Sequence, residues 1–273
     1  MGLKRPNHTV DGMSIPIDRM PRGGPDASWP NRLFETGRLE FTDRYDVSDT
    51  VKQKVIGTLE RGGERFGTHR HNAVRVLKQV ADIANPKILE IGAGHGRLSA
   101  EILARHPTIE VTVSDLDPAS VDKIAAGPLG ANPRATVRVI DATTIDAPDN
   151  AYDLVVFAAA LHHLPPKAAS QVIADATRAG RKFLVIDLER SSTLGLFCTP
   201  MMMGFIAAVS LTVTPPSALP PFLHDAFISR LRSYSRSAFR ALGAAADPAM
   251  VVEFLPGRSR YPPMLAVLYT RPQ

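Results

Sequence analysis

With 273 residues the chain can bury one sizeable core, and its 44% hydrophobic and 22% charged content suits a globular domain. The formal charge of +5 comes from 24 arginines and 8 lysines set against 27 acids, spread without a basic run or interleaved aromatics, so no nucleic-acid partner is expected. The single cysteine, Cys198, excludes an internal disulfide framework and a cysteine metal cluster, and points to a cytoplasmic setting.

Residues 1–47 begin "MGLKRPNHTVDGMSIPIDRMPRGGPD", with no apolar stretch of the secretory kind. Their prolines, glycines and polar residues predict an irregular or mobile arm. Ser48 to Glu60 can cap and run a short helix, interrupted by Gly62-Gly63. A second helix is expected from His69 to Ala84, with Val74, Leu77, Val80 and Ala81 on its apolar face and Asn85-Pro86 as its stop.

From Lys87 the pattern alternates. Strands are expected at Ile88–Ile91, Ile109–Ser114, Thr136–Ile140, Leu154–Phe157 and Phe183–Ile186, with helices at Arg97–Arg105, Pro118–Ala126 and Lys167–Ala179 between them. Continuous apolar strands separated by helices form a parallel sheet covered on both faces. Ser235–Ala246 then reads as a helix with Ser235 or Ser237 as N-cap. Met250–Leu255 and Met264–Thr270 follow as two strands joined by "PGRSRYPP", too short for a helical crossover, so they must pair antiparallel. The expected fold is α/β, with a seven-stranded, mostly parallel sheet containing one antiparallel strand and helices on both faces.

The first strand runs into "LEIGAGHGRLSAEI", an apolar strand, three glycines and an amphipathic helix. A dinucleotide fingerprint would need glycine where Arg97 stands. The spacing is instead Glu90-x-Gly92-x-Gly94-x-Gly96, with Asp115 at the tip of the next strand. An acid before the turn opposes a pyrophosphate, which prefers free amides and positive charge, and favours a cationic amino group. Acid, glycines and second acid together suit an amino-acid-plus-adenosine cofactor.

"LEIGAGHG", "VTVSDLDP", "VIDATTI" and "YDLVVFAAALHHLP", in that order over Lys87 to Asp187, resemble the class I S-adenosylmethionine-dependent methyltransferases, with their Rossmann-like fold. The resemblance implies S-adenosylmethionine as cofactor. Its methionine part would pass Glu90, Gly92, Ala93, Gly94 and Gly96, its ribose hydroxyls would bind Asp115, and its adenine would lie against Leu116. Asp141, ending the third strand, and Ala142 would meet the adenine amino group, and Ala158 would close the fourth strand's side of the site. Asp117, Asp146 and Asp153 are expected to carry no chemistry, Asp117 capping the helix that begins at Pro118.

On the acceptor side, His162-His163 follows the fourth strand, and His163 is a candidate cofactor contact or base. Ser191–Leu223 contains no charged residue and reads as a helical lid insertion (191–234 in all) whose Met202 and Phe205 would wall a hydrophobic acceptor. Peripheral membrane contact and a homodimer interface are the alternatives for the same segment. "HDAFISRLRSYSRSAFRAL" and "LERGGERFGTHRHNAVRVL" are similar to segments of a bacterial small-molecule subgroup of these enzymes, although Gly63 stands where that subgroup usually has asparagine. By that likeness residues 48–86 would cover part of the active site, and 87–273 would form the methyltransferase domain. His224 could serve as a base oriented by Asp225, or both could pin the insertion to the core. No metal site is expected, since no Asp-Asn pair follows the fourth strand. The expected activity is methylation of a hydrophobic small molecule, most simply at a phenolic or polyketide-like oxygen. Carbon methylation of a quinone or lipid-like ring, or a non-catalytic cofactor-binding partner, are the other readings.

Overall fold

A computed structural model describes residues 16–211, 214–257 and 264–272. Three α-helices precede the sheet: α1 (Trp29–Leu33), α2 (Asp49–Arg65) and α3 (Thr68–Lys78). Then come β1 (Lys87–Ile91), α4 (Arg97–Arg105), β2 (Glu110–Asp115), α5 (Pro118–Ala125), β3 (Ala135–Val139), β4 (Leu154–Ala158), α6 (Pro166–Ala179) and β5 (Phe183–Leu188). The chain closes with α7 (Thr193–Phe197), α8 (Thr199–Ser210), α9 (Leu219–Arg232), α10 (Arg236–Ala246), β6 (Val251–Leu255) and β7 (Met264–Thr270).

The strands form one sheet in the order β3-β2-β1-β4-β5-β7-β6. β1 to β5 are parallel, and β7 runs antiparallel to both β5 and β6. This is the expected seven-stranded arrangement with one reversed strand. Successive residues of each central strand go to opposite faces. Leu89, Val155, Phe157 and Val185 pack with α6 and α10 on one side. Ile88, Val111, Leu154 and Ile186 pack with α3 and α4 on the other. Two buried faces explain why these strands read as unbroken apolar runs. The chain order reverses between β1 and β4, so the crevice for a ligand opens at their carboxyl ends.

Several local expectations are corrected. α2 continues through Gly62-Gly63 to Arg65, because helical glycine is tolerated where packing demands it. A Cβ on Gly63 would overlap the imidazole of His69. Ser48 makes no side-chain capping bond at the start of α2. α3 ends at Lys78, six residues before the predicted last residue Ala84, and its inward face is Ala73 and Val76, followed by Val80. Val74 is 42% exposed and Ala81 lies outside, so the apolar stripe is rotated from the predicted one. β3 ends at Val139, leaving Asp141 two residues beyond its tip. Of the two candidate caps for α10, Ser235 accepts the Ala238 amide, while Ser237 bonds Asp26.

In the region read as an arm, residues 16–47 hold only short helical turns. They are nevertheless packed on the domain: Met20, Arg22 and Glu40 are buried. Residues 1–15 of that arm, Thr212 and Val213 of the uncharged segment, and most of the "PGRSRYPP" loop lie outside the described residues.

Candidate active site

The glycine turn after β1 has a backbone that only glycine adopts without strain. Gly92, Gly94 and Gly96 have φ of 61°, 58° and 76°. Space is equally restrictive, since a Cβ on Gly92 would lie 2.6 Å from the Phe157 ring and one on Gly96 2.5 Å from Leu129. The Ala93 amide bonds the Ser114 carbonyl at 2.9 Å, and the Gly94 amide donates to Asp115 Oδ2 at 2.8 Å. The Asp117 amide donates to the other Asp115 oxygen at 2.9 Å. Asp115 therefore anchors the turn while sitting at the tip of β2, and burial raises its pKa. Asp117 caps α5 through the Ala119 and Ser120 amides.

Glu90 is 3% exposed, and burial pushes its carboxyl up to about 7. Its hydrogen bond comes from the Ser99 hydroxyl, a neutral donor that cannot balance a carboxylate charge. A cationic amino group beside the turn would do so, and in this respect the residues fit the cofactor. Leu116, just beyond Asp115, is 63% exposed and free to lie against a ring. Asp141 is exposed and bonds the Thr143 amide and hydroxyl at 2.8 and 2.7 Å. Ala142 packs partly into the core. Ala158 ends β4 and is followed by Ala159 at a positive φ of 55°, a strained backbone position at the crevice.

α2 lies over the glycine turn. His95 bonds Glu60 through Nδ1 at 2.7 Å and Gln53 through Nε2 at 2.6 Å. A Cβ on Gly94 would meet Ile56 at 3.5 Å.

The short helical turn Leu161–His163 sits in a polar network that local sequence could not reveal. His162 Nδ1 bonds Asp187 Oδ1 at 2.7 Å, and the His162 amide donates to Asp187 Oδ2 at 2.9 Å. His163 Nδ1 bonds Asp43 at 2.9 Å, and Arg232 donates to the same carboxylate at 2.8 Å. Arg232 also bonds the His163 carbonyl, Arg22 the His162 and Leu164 carbonyls, and Tyr234 the Leu164 carbonyl. The "LRSYS" segment is thus a clamp on the loop after β4. Burial alone would lower the His163 pKa, but the Glu40 and Asp43 carboxylates outweigh it and push it up to about 9.

His224 Nδ1 bonds Asp225 Oδ1 at 2.9 Å, and its ring meets Phe41 edge-on at 4.5 Å. Both Asp225 oxygens accept amides of the turn Phe41–Asp43, from Phe41 at 2.7 Å and Thr42 at 3.3 Å. Asp225 is 4% exposed, so it pins that turn to α9. The two histidines flank one turn, His163 through Asp43 and His224 through Phe41. Met202 and Phe205 lie on α8, which packs on α7 and α9. Met202 is half-buried, while Met201 and Phe205 are 76% and 62% exposed. Among the described residues, no helix is long and apolar enough to cross a membrane.

Residues 88–182 match a family model described as a methyltransferase domain. Among solved structures, the plantazolicin methyltransferase BpumL with bound S-adenosylhomocysteine aligns with a TM-score of 0.58 at 13% identity, over 82% of this chain and 92% of that one. Magnesium protoporphyrin IX methyltransferase from Synechocystis PCC 6803, also with S-adenosylhomocysteine, aligns at 0.52 and 16%, over 85% and 91%. The chain spans only 55% of the length of a Nostoc punctiforme PCC 73102 protein described as an O-methyltransferase, with 73% of this chain covered, 20% identity and a TM-score of 0.49. No curated protein matches the sequence. Matched segment, strand order and a glycine turn suited to an amino acid all agree: residues 88–182 carry a methyltransferase domain on a Rossmann-like sheet, and the residues of the turn fit S-adenosylmethionine as its cofactor.

Proposed function

We propose that the enzyme transfers the sulfonium methyl group to an oxygen of a hydrophobic small molecule. The observation that carries this reading is the stretch α7–α8, which leaves the carboxyl end of β5 and contains no charged residue from Ser191 to Leu211. Ligands of such sheets bind outside the carboxyl ends of the strands. An apolar helix exposing Met201 and Phe205 there supplies a deformable wall for an apolar acceptor. The solved proteins of the same fold act, by their names, on plantazolicin and magnesium protoporphyrin IX. At 13–16% identity that likeness concerns the fold, and the acceptor reading rests on this chain's own residues.

In this reading Glu90 takes the cofactor's amino group, Gly92 to Gly96 pass its methionine chain, and Asp115 binds the ribose. Leu116, Asp141, Ala142 and Ala158 surround the adenine and the sulfonium side. Alignment of the acceptor oxygen supplies most of the rate, since the methyl group is already electrophilic. Where a proton must leave, His224 is the better base: Asp225 orients its Nδ1 and Nε2 remains to accept. His163 keeps its proton at neutral pH and would donate rather than accept. The test is a panel of phenolic and lipid-like acceptors with methyl-labelled S-adenosylmethionine. Label shown by NMR to sit on a carbon-bonded methyl group would overturn oxygen as the target, and no transfer to any apolar acceptor would overturn the acceptor class.

A further inference from the structure

We propose that Glu40, His162 and His163 form a binding site for a divalent transition-metal ion of the zinc type. One ligand atom from each residue lies within 4.8 Å of the other two. His162 Nε2 is 3.6 Å from Glu40 Oε1, and His163 Nε2 is 3.7 Å from Glu40 Oε2. Zinc bonds of about 2.0–2.2 Å set neighbouring tetrahedral donors about 3.3–3.5 Å apart, so the histidine–carboxylate spacings need to close only slightly.

Three features separate this cluster from a chance meeting of polar groups. First, both imidazoles use Nδ1 for a carboxylate, Asp187 at 2.7 Å and Asp43 at 2.9 Å. That is the outer-shell arrangement that fixes a ligating histidine and raises its basicity, and it leaves both Nε2 atoms toward Glu40. Second, Glu40 is 3% exposed and its Oε1 accepts no hydrogen bond, an arrangement that is costly unless something completes it. Third, the carboxylates Glu40, Asp43 and Asp187 outnumber the adjoining guanidinium groups Arg22 and Arg232, so an ion bound there would replace the proton of His163 without adding a charge that lacks a counter-charge.

Imidazole plus carboxylate without thiolate selects zinc-like ions over magnesium or calcium, which prefer oxygen donors throughout. Three protein ligands leave a fourth position open. His163, whose side chain is 22% exposed, is the ligand nearest solvent. The ligands come from the N-terminal segment and the loop after β4, so an ion would also fasten one to the other. The assignment does not depend on which acceptor is methylated.

The test uses untagged full-length protein, stripped with chelator and titrated with Zn²⁺ by calorimetry. One ion per chain is expected, with at least tenfold weaker binding in Glu40→Gln and His163→Gln and a 10- to 100-fold loss in Asp43→Asn. An unchanged far-ultraviolet circular dichroism spectrum and cooperative thermal unfolding would show that these variants fold. Zn²⁺ binding unchanged in all three, or no binding by the wild type at 100-fold excess ion, would overturn the proposal. A second measurement needs no variant. Co²⁺-loaded wild type should show two hyperfine-shifted, exchangeable imidazole N–H resonances, one from each Nδ1, and their absence would equally overturn it.

Discussion

Asp115 Oδ2 accepts the Gly94 amide at 2.8 Å, so the acid at the tip of the second strand is also what holds the glycine turn after the first. With the ribose role proposed for Asp115, cofactor binding and turn geometry would be coupled in one carboxylate. Asp115→Ala should weaken S-adenosylhomocysteine binding by about 1–3 kcal/mol, roughly 5- to 150-fold, the range for losing charged hydrogen bonds. Asp115→Asn, which keeps one acceptor oxygen, should lose less. Calorimetry on the two variants checks both, and unchanged affinity would place the ribose elsewhere.

Glu90 gives a pH dependence with a defined sign. Its pKa rises from an ordinary 4.5 to about 7 in the fold because burial disfavours the charge. The folded state thus binds more protons than the unfolded state between these values, and stability falls as pH rises through that window, by about 3 kcal/mol in all. Glu90→Gln should remove this decline, making the cofactor-free variant the more stable protein at pH 8. The same substitution should weaken cofactor binding at pH 8, where the wild-type carboxylate can meet the amino group. In the wild type, binding near pH 6 should release a proton, seen as a calorimetric enthalpy that varies with the buffer's ionisation enthalpy.

The contact between Gly63 and His69 predicts a reversal of helix propensity. Gly63→Ala inside α2 would ordinarily gain up to about 1 kcal/mol. Here the new Cβ meets the half-buried imidazole, and a loss of about 1–3 kcal/mol is expected instead. In a His69→Ala background the ring is gone, and Gly63→Ala should stabilise. A denaturant-based double-mutant cycle measures the coupling.

Met202→Asp and Phe205→Asp should leave the fold and S-adenosylhomocysteine binding intact, because Phe205 is 62% exposed and Met202 half-buried. Turnover of an apolar acceptor should drop at least tenfold if α8 walls its site. Variants that keep full turnover but leave lipid vesicles would make α8 a membrane patch, and variants that only halve the solution mass would make it a dimer interface. Activity, flotation and light scattering on the same preparations separate these outcomes.

The parallel core, the reversed last strand and the glycine turn are legible in the pattern of the chain alone. Each depends on short-range pattern: apolar runs, Glu90-x-Gly92-x-Gly94-x-Gly96, and a loop too short for a crossover. Positions such as Asp115 were legible because they follow directly from a strand's end. Gly63 shows the limit of local reading, since helix propensity gives no sign of a ring folding back from the next helix. The tertiary structure decided what surrounds the histidines. Glu40 and Asp43 reach His162 and His163 across some 120 residues, and Asp225 holds the turn between them across 184. No periodicity marks such residues, because their partners come from separate elements and meet only when the N-terminal segment packs beside the carboxyl edge of the sheet. The choice of burial face in α3 and the exposure of α8 were likewise fixed by what each helix packs against, a matter of long-range contact that hydrophobic pattern alone does not encode.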